Sequence, residues 1–126
     1  MNILLAYNDT DVSNRALERA GQLAKLYDAK LVVTSVTPVA VGDAPDMTPG
    51  KELLRADELL RAEGVEPELV EAVGDVALAI VEAADKHGAG LIVLGTREPS
   101  QVERMLGHSV SEHVQRMAHC DVLIVH

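Results

Sequence analysis

The stretch from Gly95 to Ser109 holds residue types that could do chemistry. Gly95 closes an apolar run, and Gly107-His108-Ser109 opens a segment with helical spacing. Glycine lets the backbone approach an anion closely, and helix amino-terminal N–H groups with a serine hydroxyl donate hydrogen bonds to phosphate oxygens. This layout is typical of a phosphate-binding turn. A plain turn at Gly95 and a simple helix cap at Ser109 remain the alternative.

Ionisable residues accompany this turn. His108 is a surface residue or a donor to an anion, since a histidine can titrate near neutrality beside a negative group such as Glu98; as a metal ligand, the third alternative, it lacks a partner at the expected spacing. Asn8-Asp9 and Asp75, with Glu98, follow apolar runs and could together hold a divalent cation, but acidic loop residues are usually solvated. Since the pattern singles out no nucleophile with a base and no set of metal ligands, we expect no metal site, no catalytic residue and no enzyme.

Apolar runs predict the strands that position these residues. Four runs are apolar throughout, which is typical of strands with both faces covered in a parallel sheet. A fifth, from Leu69 to Val73, contains a charge and indicates an edge strand. The four runs are Ile3 to Tyr7, Leu31 to Val33 resuming at Val36, Leu91 to Leu94, and Val122 to Val125.

Four segments with helical spacing alternate with the strands. The first follows Asp9-Thr10-Asp11, the second runs from Thr48-Pro49 to Gly64, the third from Asp75 to Gly88, and the fourth opens at Ser109-Val110-Ser111-Glu112, a capping-box pattern. Such alternation predicts a three-layer α/β domain with right-handed crossovers. The predicted inward residues are Val12, Ala16, Ala20, Leu23, Ala24 and Tyr27; Leu53, Leu54 and Leu60; Val76, Ile80, Ala83 and Ala84; and Val110, Val114, Met117 and Ala118.

Composition narrows the function classes. The 126 residues suit one domain, residues 1–126, and 48% of them are hydrophobic, enough for a core. A net charge of -9 and an aromatic share of 2% disfavour nucleic-acid binding, which needs basic clusters or stacking rings. Cys120 is the single cysteine, so no internal disulfide is possible. Without a signal-peptide pattern or a run of about 20 apolar residues, we expect a cytoplasmic protein that does not contact membranes.

Three stretches of the chain resemble the universal stress protein family. The first strand with its Tyr7-Asn8-Asp9-Thr10 exit is similar to the family's first strand and its ending Val-Asp-Gly-Ser. Leu91 to Leu94 with Gly95-Thr96 is similar to the fourth strand with its Gly-Ser or Gly-Thr exit. The segment from Leu106 to His126 resembles the last helix and strand, and only Thr37 to Lys51 is left unplaced.

The resemblance implies a Rossmann-like fold with a five-stranded parallel sheet in the order 3-2-1-4-5 and helices on both faces. It also implies a homodimer in which the last strands of two subunits pair antiparallel. The residues favour the same interface, because the run of Val122, Leu123, Ile124 and Val125 carries no charge to protect a sheet edge.

Some members of the family bind ATP through the pattern G-x2-G-x9-G-[ST] after the fourth strand. Aligned on this chain, the pattern keeps Gly95 and Ser109, but Glu98 and His108 replace its other two glycines. A carboxylate within a few Å of a phosphate costs on the order of 1 to 4 kcal/mol at intermediate dielectric. Arg97 and Arg104 could offset part of this cost.

The first strand departs from the ATP-binding pattern as well. Asn8 replaces the carboxylate that holds the nucleoside, although an amide can still bond a ribose hydroxyl, and Asp9 replaces the following glycine. ATP with Mg²⁺ is the cofactor that an intact site would take. The candidate nucleotide-binding residues are Ala6, Asn8, Val36, Leu94, Gly95, Glu98, His108, Ser109 and Val110.

Other proteins with this alternation of elements fit less well. A two-component receiver domain needs an Asp after the third strand and a Lys after the last, whereas Gly74 ends the third strand here and the last lysine is Lys86. An electron-transfer flavoprotein domain would need added flavin-binding segments. Two hypotheses remain: a dimeric stress-response protein that acts through protein partners with nucleotide binding weak or lost, or one in which ATP regulates the dimer or its partners.

Restoring the glycine pattern is expected to restore ATP binding. Glu98→Gly combined with His108→Gly removes a negative charge and two side chains from the aligned loop, so the double variant should bind MgATP at least tenfold more tightly than the wild type. Isothermal titration calorimetry measures the change. A double variant that gains no affinity would show that the alignment of this loop is wrong.

Overall fold

Five parallel strands form one sheet in the order β3-β2-β1-β4-β5. The computed structural model describes residues 1–37, 49–96 and 109–126. The all-parallel sheet and its strand order are therefore confirmed, as is the place of the charged third strand at one edge. The strands are β1 (Asn2–Ala6), β2 (Lys30–Thr37), β3 (Glu68–Val73), β4 (Ala89–Gly95) and β5 (Asp121–Val125).

In the part of the chain that the structure describes, two helices cover each face of this sheet. Along β1, Ile3 and Leu5 face one helical layer and Leu4 faces the other, because successive side chains of a strand point to opposite faces. We call these sides the α1/α2 face and the α3/α4 face. The helices are α1 (Asp11–Tyr27), α2 (Pro49–Ala62), α3 (Val76–Lys86) and α4 (Val110–Met117).

Polar side chains begin three of these helices at the positions that the sequence indicates. The Thr10 hydroxyl accepts from the Ser13 amide at 3.2 Å, and the Ser13 hydroxyl accepts from the Thr10 amide at 2.9 Å, which makes a reciprocal capping box. Asp75 caps α3 by accepting from the Leu78 amide at 3.0 Å. Ser109 caps α4. These side chains satisfy backbone N–H groups that a helix leaves without internal partners.

Three residues predicted to face inward are exposed instead. Leu54 is 61% exposed, because α2 presents Leu53, Ala56 and Leu60, three or four residues apart, to the core. Tyr27 is 59% exposed, since it is the last residue of α1 before the chain reverses at Asp28. The third is Val110, which stands at the start of α4 and is exposed, while Val114 one turn later is buried.

The two edges of the sheet differ in charge. On β3, Glu71 lies between Leu69 and Val73 on the exposed face, and Glu68 begins the strand on the opposite face. Lys30 on β2 forms an ion pair with Glu68 at 2.8 Å, and the hydrogen bond from Lys30 lowers the pKa of that carboxyl group. On β5, the four residues after Asp121 are apolar and only half-buried. β3 thus carries charges that protect an edge strand, whereas β5 carries none after Asp121.

Within residues 1–37, 49–96 and 109–126, no helix combines the length and the apolar character needed to cross a bilayer.

Candidate functional site

Three strands bring candidate site residues to one face of the sheet. Ala6 at the end of β1 lies beside Leu94 of β4 in the strand register. Both residues, together with Val36 near the end of β2, pack on the α3/α4 face. Ligands of open parallel sheets bind at the carboxyl ends of the strands, near the point where strand order reverses. Since β1 separates β2 from β4 in this sheet, these three residues line such a reversal point.

The turn between β1 and α1 presents two polar residues beside this face. Asn8 is exposed, and its side-chain oxygen accepts a hydrogen bond from the Thr10 hydroxyl at 2.8 Å. Its amide nitrogen therefore keeps two protons that can be donated to a ligand oxygen. Asp9 adopts the left-handed conformation with a φ of 53°, which aspartate tolerates better than most residues.

The amino terminus of α4 lies at the same edge of the sheet. Because α4 leads into the start of β5, it runs against the strand direction and begins near their carboxyl ends. The Ser109 hydroxyl oxygen accepts from the Glu112 amide at 3.5 Å and lies 3.1 Å from the Ser111 hydroxyl. Unpaired first-turn N–H groups and the helix dipole make such a terminus favourable for an anion.

Gly95 has a packing role that the sequence pattern did not indicate. A Cβ atom at this position would lie 2.8 Å from the Val12 carbonyl oxygen and 3.1 Å from the Ser13 nitrogen. The end of β4 therefore packs directly against the backbone of the first turn of α1, and only glycine permits this approach. This contact needs Gly95 whether or not a phosphate binds.

Two predicted site residues, Glu98 and His108, lie outside the described residues, as do Arg97 and Arg104. The replacements at the second and third glycines of the ATP pattern therefore stay predictions from the sequence. Ser109 and Val110 are the first described residues after that segment.

Sequence reasoning missed a polar group on the opposite face of the sheet. The Ser35 hydroxyl, 1% exposed, donates a hydrogen bond to the Glu52 carboxylate of α2. Tyr7 is 3% exposed, and its hydroxyl lies 3.0 Å from Asp9 Oδ1 and 2.5 Å from Asn14 Oδ1. Burial, followed by the hydrogen bond to Asp9, raises the pKa of Tyr7 well above its ordinary value. A hydroxyl-bearing residue inside an otherwise apolar run was the available signal for both residues.

Histidine and cysteine residues elsewhere do not assemble a metal site in the described part of the chain, where no group of three or more His, Cys, Asp or Glu residues could hold an ion. His119 Nδ1 lies 3.1 Å from Asp85 Oδ2 on an exposed surface. Burial, with a further effect of Asp121, raises the pKa of the half-buried Cys120 thiol, which favours an uncharged packing residue.

Comparison with known proteins identifies the class to which this fold and site belong. The model of the universal stress protein family matches residues 1–126, and the chain belongs to that family. It is 32% identical to universal stress protein YxiE of Bacillus subtilis, an alignment covering 98% of this chain and 97% of the relative. A universal stress protein of Methanocaldococcus jannaschii is 34% identical, in an alignment that covers 98% of this chain and 80% of the relative.

Solved structures of the same family share the fold over the whole chain. A universal stress protein in complex with cAMP superimposes with a TM-score of 0.84 at 31% identity, covering 100% of this chain and 97% of the other. An Archaeoglobus fulgidus universal stress protein in complex with dAMP gives a TM-score of 0.81 at 26% identity, covering 100% and 98%. The family resemblance and the Rossmann-like fold are thus confirmed.

Gly95→Ala is expected to destabilise the protein even without a nucleotide. The added methyl group would meet the Val12 carbonyl, and overpacking of this kind costs about 1 to 3 kcal/mol. Gly50→Ala is the matched control. It lies in the first turn of α2 with its nearest neighbour, Glu71 Oε1, at 3.6 Å, so it should raise stability by about 0.4 to 1 kcal/mol.

Urea unfolding of both alanine variants without ligand measures the difference. If Gly95 served a phosphate alone, Gly95→Ala would unfold at the wild-type midpoint, and the proposed packing role would be wrong.

Proposed function

We propose that this protein is a regulatory universal stress protein that binds an adenine nucleotide carrying one phosphate and acts through protein partners. The observation that supports this most strongly is the convergence of Ala6, Val36 and Leu94 on one face of the sheet, at the edge where α4 begins. Apolar walls next to a helix amino terminus suit a ligand with a flat base at one end and an anion at the other.

Each part of the nucleotide has a complementary group in this proposal. The adenine ring packs on Ala6, Val36 and Leu94. The amide of Asn8 donates to a ribose hydroxyl oxygen, since its own oxygen is taken by Thr10. The phosphate accepts hydrogen bonds from the first-turn N–H groups of α4 and from Ser109, whose oxygen accepts from the Glu112 amide and whose proton can donate to the phosphate when Ser111 is the donor in their hydroxyl contact.

Two relatives of known structure support a ligand with a single phosphate. One was solved in complex with cAMP and the other with dAMP, and each is a nucleotide of adenine with one phosphate. In this sequence, Glu98 stands where the ATP pattern has a glycine, and a carboxylate there opposes a polyphosphate. ATP with Mg²⁺ is therefore the weaker candidate ligand. The role proposed is binding and regulation, without catalysis.

We also propose that two copies of the chain pair through β5. Val122 and Ile124 pack on the α3/α4 face, Leu123 and Val125 pack on the α1/α2 face, and all four remain half-buried. Arg15 of α1 donates to the carbonyl oxygen of His126 at 3.1 Å, which holds the chain beyond β5 against α1. Antiparallel pairing of two such edges would satisfy their outward backbone groups and form a two-fold symmetric dimer.

Ser109→Ala tests the phosphate contact. Loss of one hydrogen bond to a charged group should weaken binding of AMP and cAMP by about 10-fold to 100-fold, while Ser109→Thr, which keeps the hydroxyl, should retain most of the affinity. Calorimetric titration of the wild type with cAMP, AMP and MgATP gives the reference values. The wild type should bind cAMP or AMP more tightly than MgATP, and an absence of heat with all three at millimolar concentration would refute nucleotide binding.

A lysine on β5 should separate the proposed dimer. Leu123→Lys places a charge in the paired edge and is expected to shift the protein to a monomer, measured by light scattering on a size-exclusion column. Leu69→Lys introduces the same change on the opposite edge strand, β3, and should leave the dimer intact. Loss of the dimer with Leu69→Lys and not with Leu123→Lys would place the interface on β3 instead.

A further inference from the structure

We propose that Tyr7 is a positioning residue, whose buried hydroxyl holds the turn between β1 and α1 and so sets the place of Asn8 at the nucleotide edge. This inference rests on the proposed nucleotide-binding function. Tyr7 itself lies on the α1/α2 face, whereas Ala6, Val36 and Leu94 lie on the α3/α4 face. Tyr7 therefore acts from the α1/α2 face of the sheet and does not contact the ligand.

The backbone and ring of Tyr7 are both fixed. Its amide donates to the Thr34 carbonyl at 2.9 Å, which extends the pairing of β1 with β2 by one residue. Its ring belongs to the core on the α1/α2 face. The hydroxyl then reaches Asp9 in the turn and Asn14 in the first turn of α1. One rigid side chain thus ties the sheet, the turn and the helix together.

The Tyr7 hydroxyl faces two acceptor oxygens. Its single proton is shared between Asn14 Oδ1 at 2.5 Å and Asp9 Oδ1 at 3.0 Å, and an ionised carboxylate can only accept. Because burial raises the pKa of Tyr7, the hydroxyl keeps its proton beside the surrounding Asp9, Glu52 and Arg55.

Asp9 is the residue that needs this support. Its φ of 53° lies in the left-handed region, which costs a residue other than glycine free energy unless the surroundings hold it. The family ending Val-Asp-Gly-Ser, which the exit of this strand resembles, has glycine at the place of Asp9 and valine at the place of Tyr7. Both partners of the Tyr7–Asp9 contact are therefore departures from that pattern.

A fixed Asp9 in turn fixes its neighbours. Asn8 stands between Tyr7 and Asp9, and the Thr10 hydroxyl that caps α1 also donates to the Asn8 side chain. Two residues after Thr10, the backbone of Val12 is the surface against which Gly95 packs. A shift of this turn would displace Asn8 and the end of β4 together.

Tyr7→Phe tests the proposal, because it removes the hydroxyl and leaves the buried ring. Tyr27→Phe is the matched control, since Tyr27 is the other tyrosine and is 59% exposed. Without nucleotide, NMR should show the backbone amides of residues 8–10 exchanging with solvent about fivefold faster in Tyr7→Phe than in the wild type, the factor expected for the loss of one hydrogen bond. The exchange rates should be unchanged in Tyr27→Phe. The affinity for cAMP should fall by a similar factor in Tyr7→Phe alone.

Asp9→Gly provides the rescue, because glycine adopts a positive φ freely. In the Asp9→Gly background, Tyr7→Phe should no longer weaken cAMP binding. If Tyr7→Phe acted only by lowering the stability of the whole protein, it would weaken cAMP binding in that background as well. Equal exchange in Tyr7→Phe and the wild type overturns the proposal. Faster exchange with unchanged cAMP affinity also overturns it, because Asn8 would then need no positioning.

The experiment separates this proposal from the proposed function. A wild type that binds no cAMP would refute nucleotide binding, yet faster exchange confined to Tyr7→Phe would still support the hold of Tyr7 on the turn. A wild type that binds cAMP, with the same affinity and exchange in both phenylalanine variants, would overturn the role of Tyr7 and leave nucleotide binding standing.

Discussion

Ile3, Leu4 and Leu5 have no exposed surface, and their side chains alternate between the two faces of the sheet. A strand of this kind is stable only between two helical layers, so β1 requires helices on both sides. Parallel neighbours then require crossover connections, and each crossover supplies one of those helices. The central place of β1 puts the reversal of strand order beside it. The carboxyl end of β1 becomes the place where a ligand can meet residues of β1, β2 and β4.

Because both faces of the sheet are covered by helices, residues at the carboxyl end of β1 fall into two groups, one on each face. On the α3/α4 face, Ala6, Val36 and Leu94 with the capped start of α4 form the edge at which we propose that the nucleotide binds. On the α1/α2 face, the hydroxyl of Tyr7 holds the turn from behind. Gly95 connects the two, because its missing side chain lets β4 rest on the first turn of α1. In the two proposals, ligand contact and support of the turn therefore belong to different side chains of one sheet edge.

The edges of the sheet follow from its strand order as well. Among the described residues, β3 and β5 each have one unpaired side, but β3 carries Glu68 and Glu71 while β5 is apolar from Val122 to Val125. Charges on an edge oppose pairing with another strand, and their absence permits it. The asymmetry favours closed pairing of two copies through β5 over an open chain of copies through both edges.

The sequence by itself determined the layers, the parallel sheet, the edge position of β3 and the caps Thr10, Asp75 and Ser109. These depend on local periodicity and on short-range hydrogen bonds, which a linear pattern records. It also placed Ala6, Val36 and Leu94 in a candidate site through the family resemblance. Only the tertiary structure decided that these three share a face, that Leu54 and Tyr27 point outward, and that Gly95 packs on α1. Only the tertiary structure shows that the Tyr7 hydroxyl contacts Asn14 and that the Ser35 hydroxyl contacts Glu52. Such contacts join separate elements, and their geometry depends on how those elements pack.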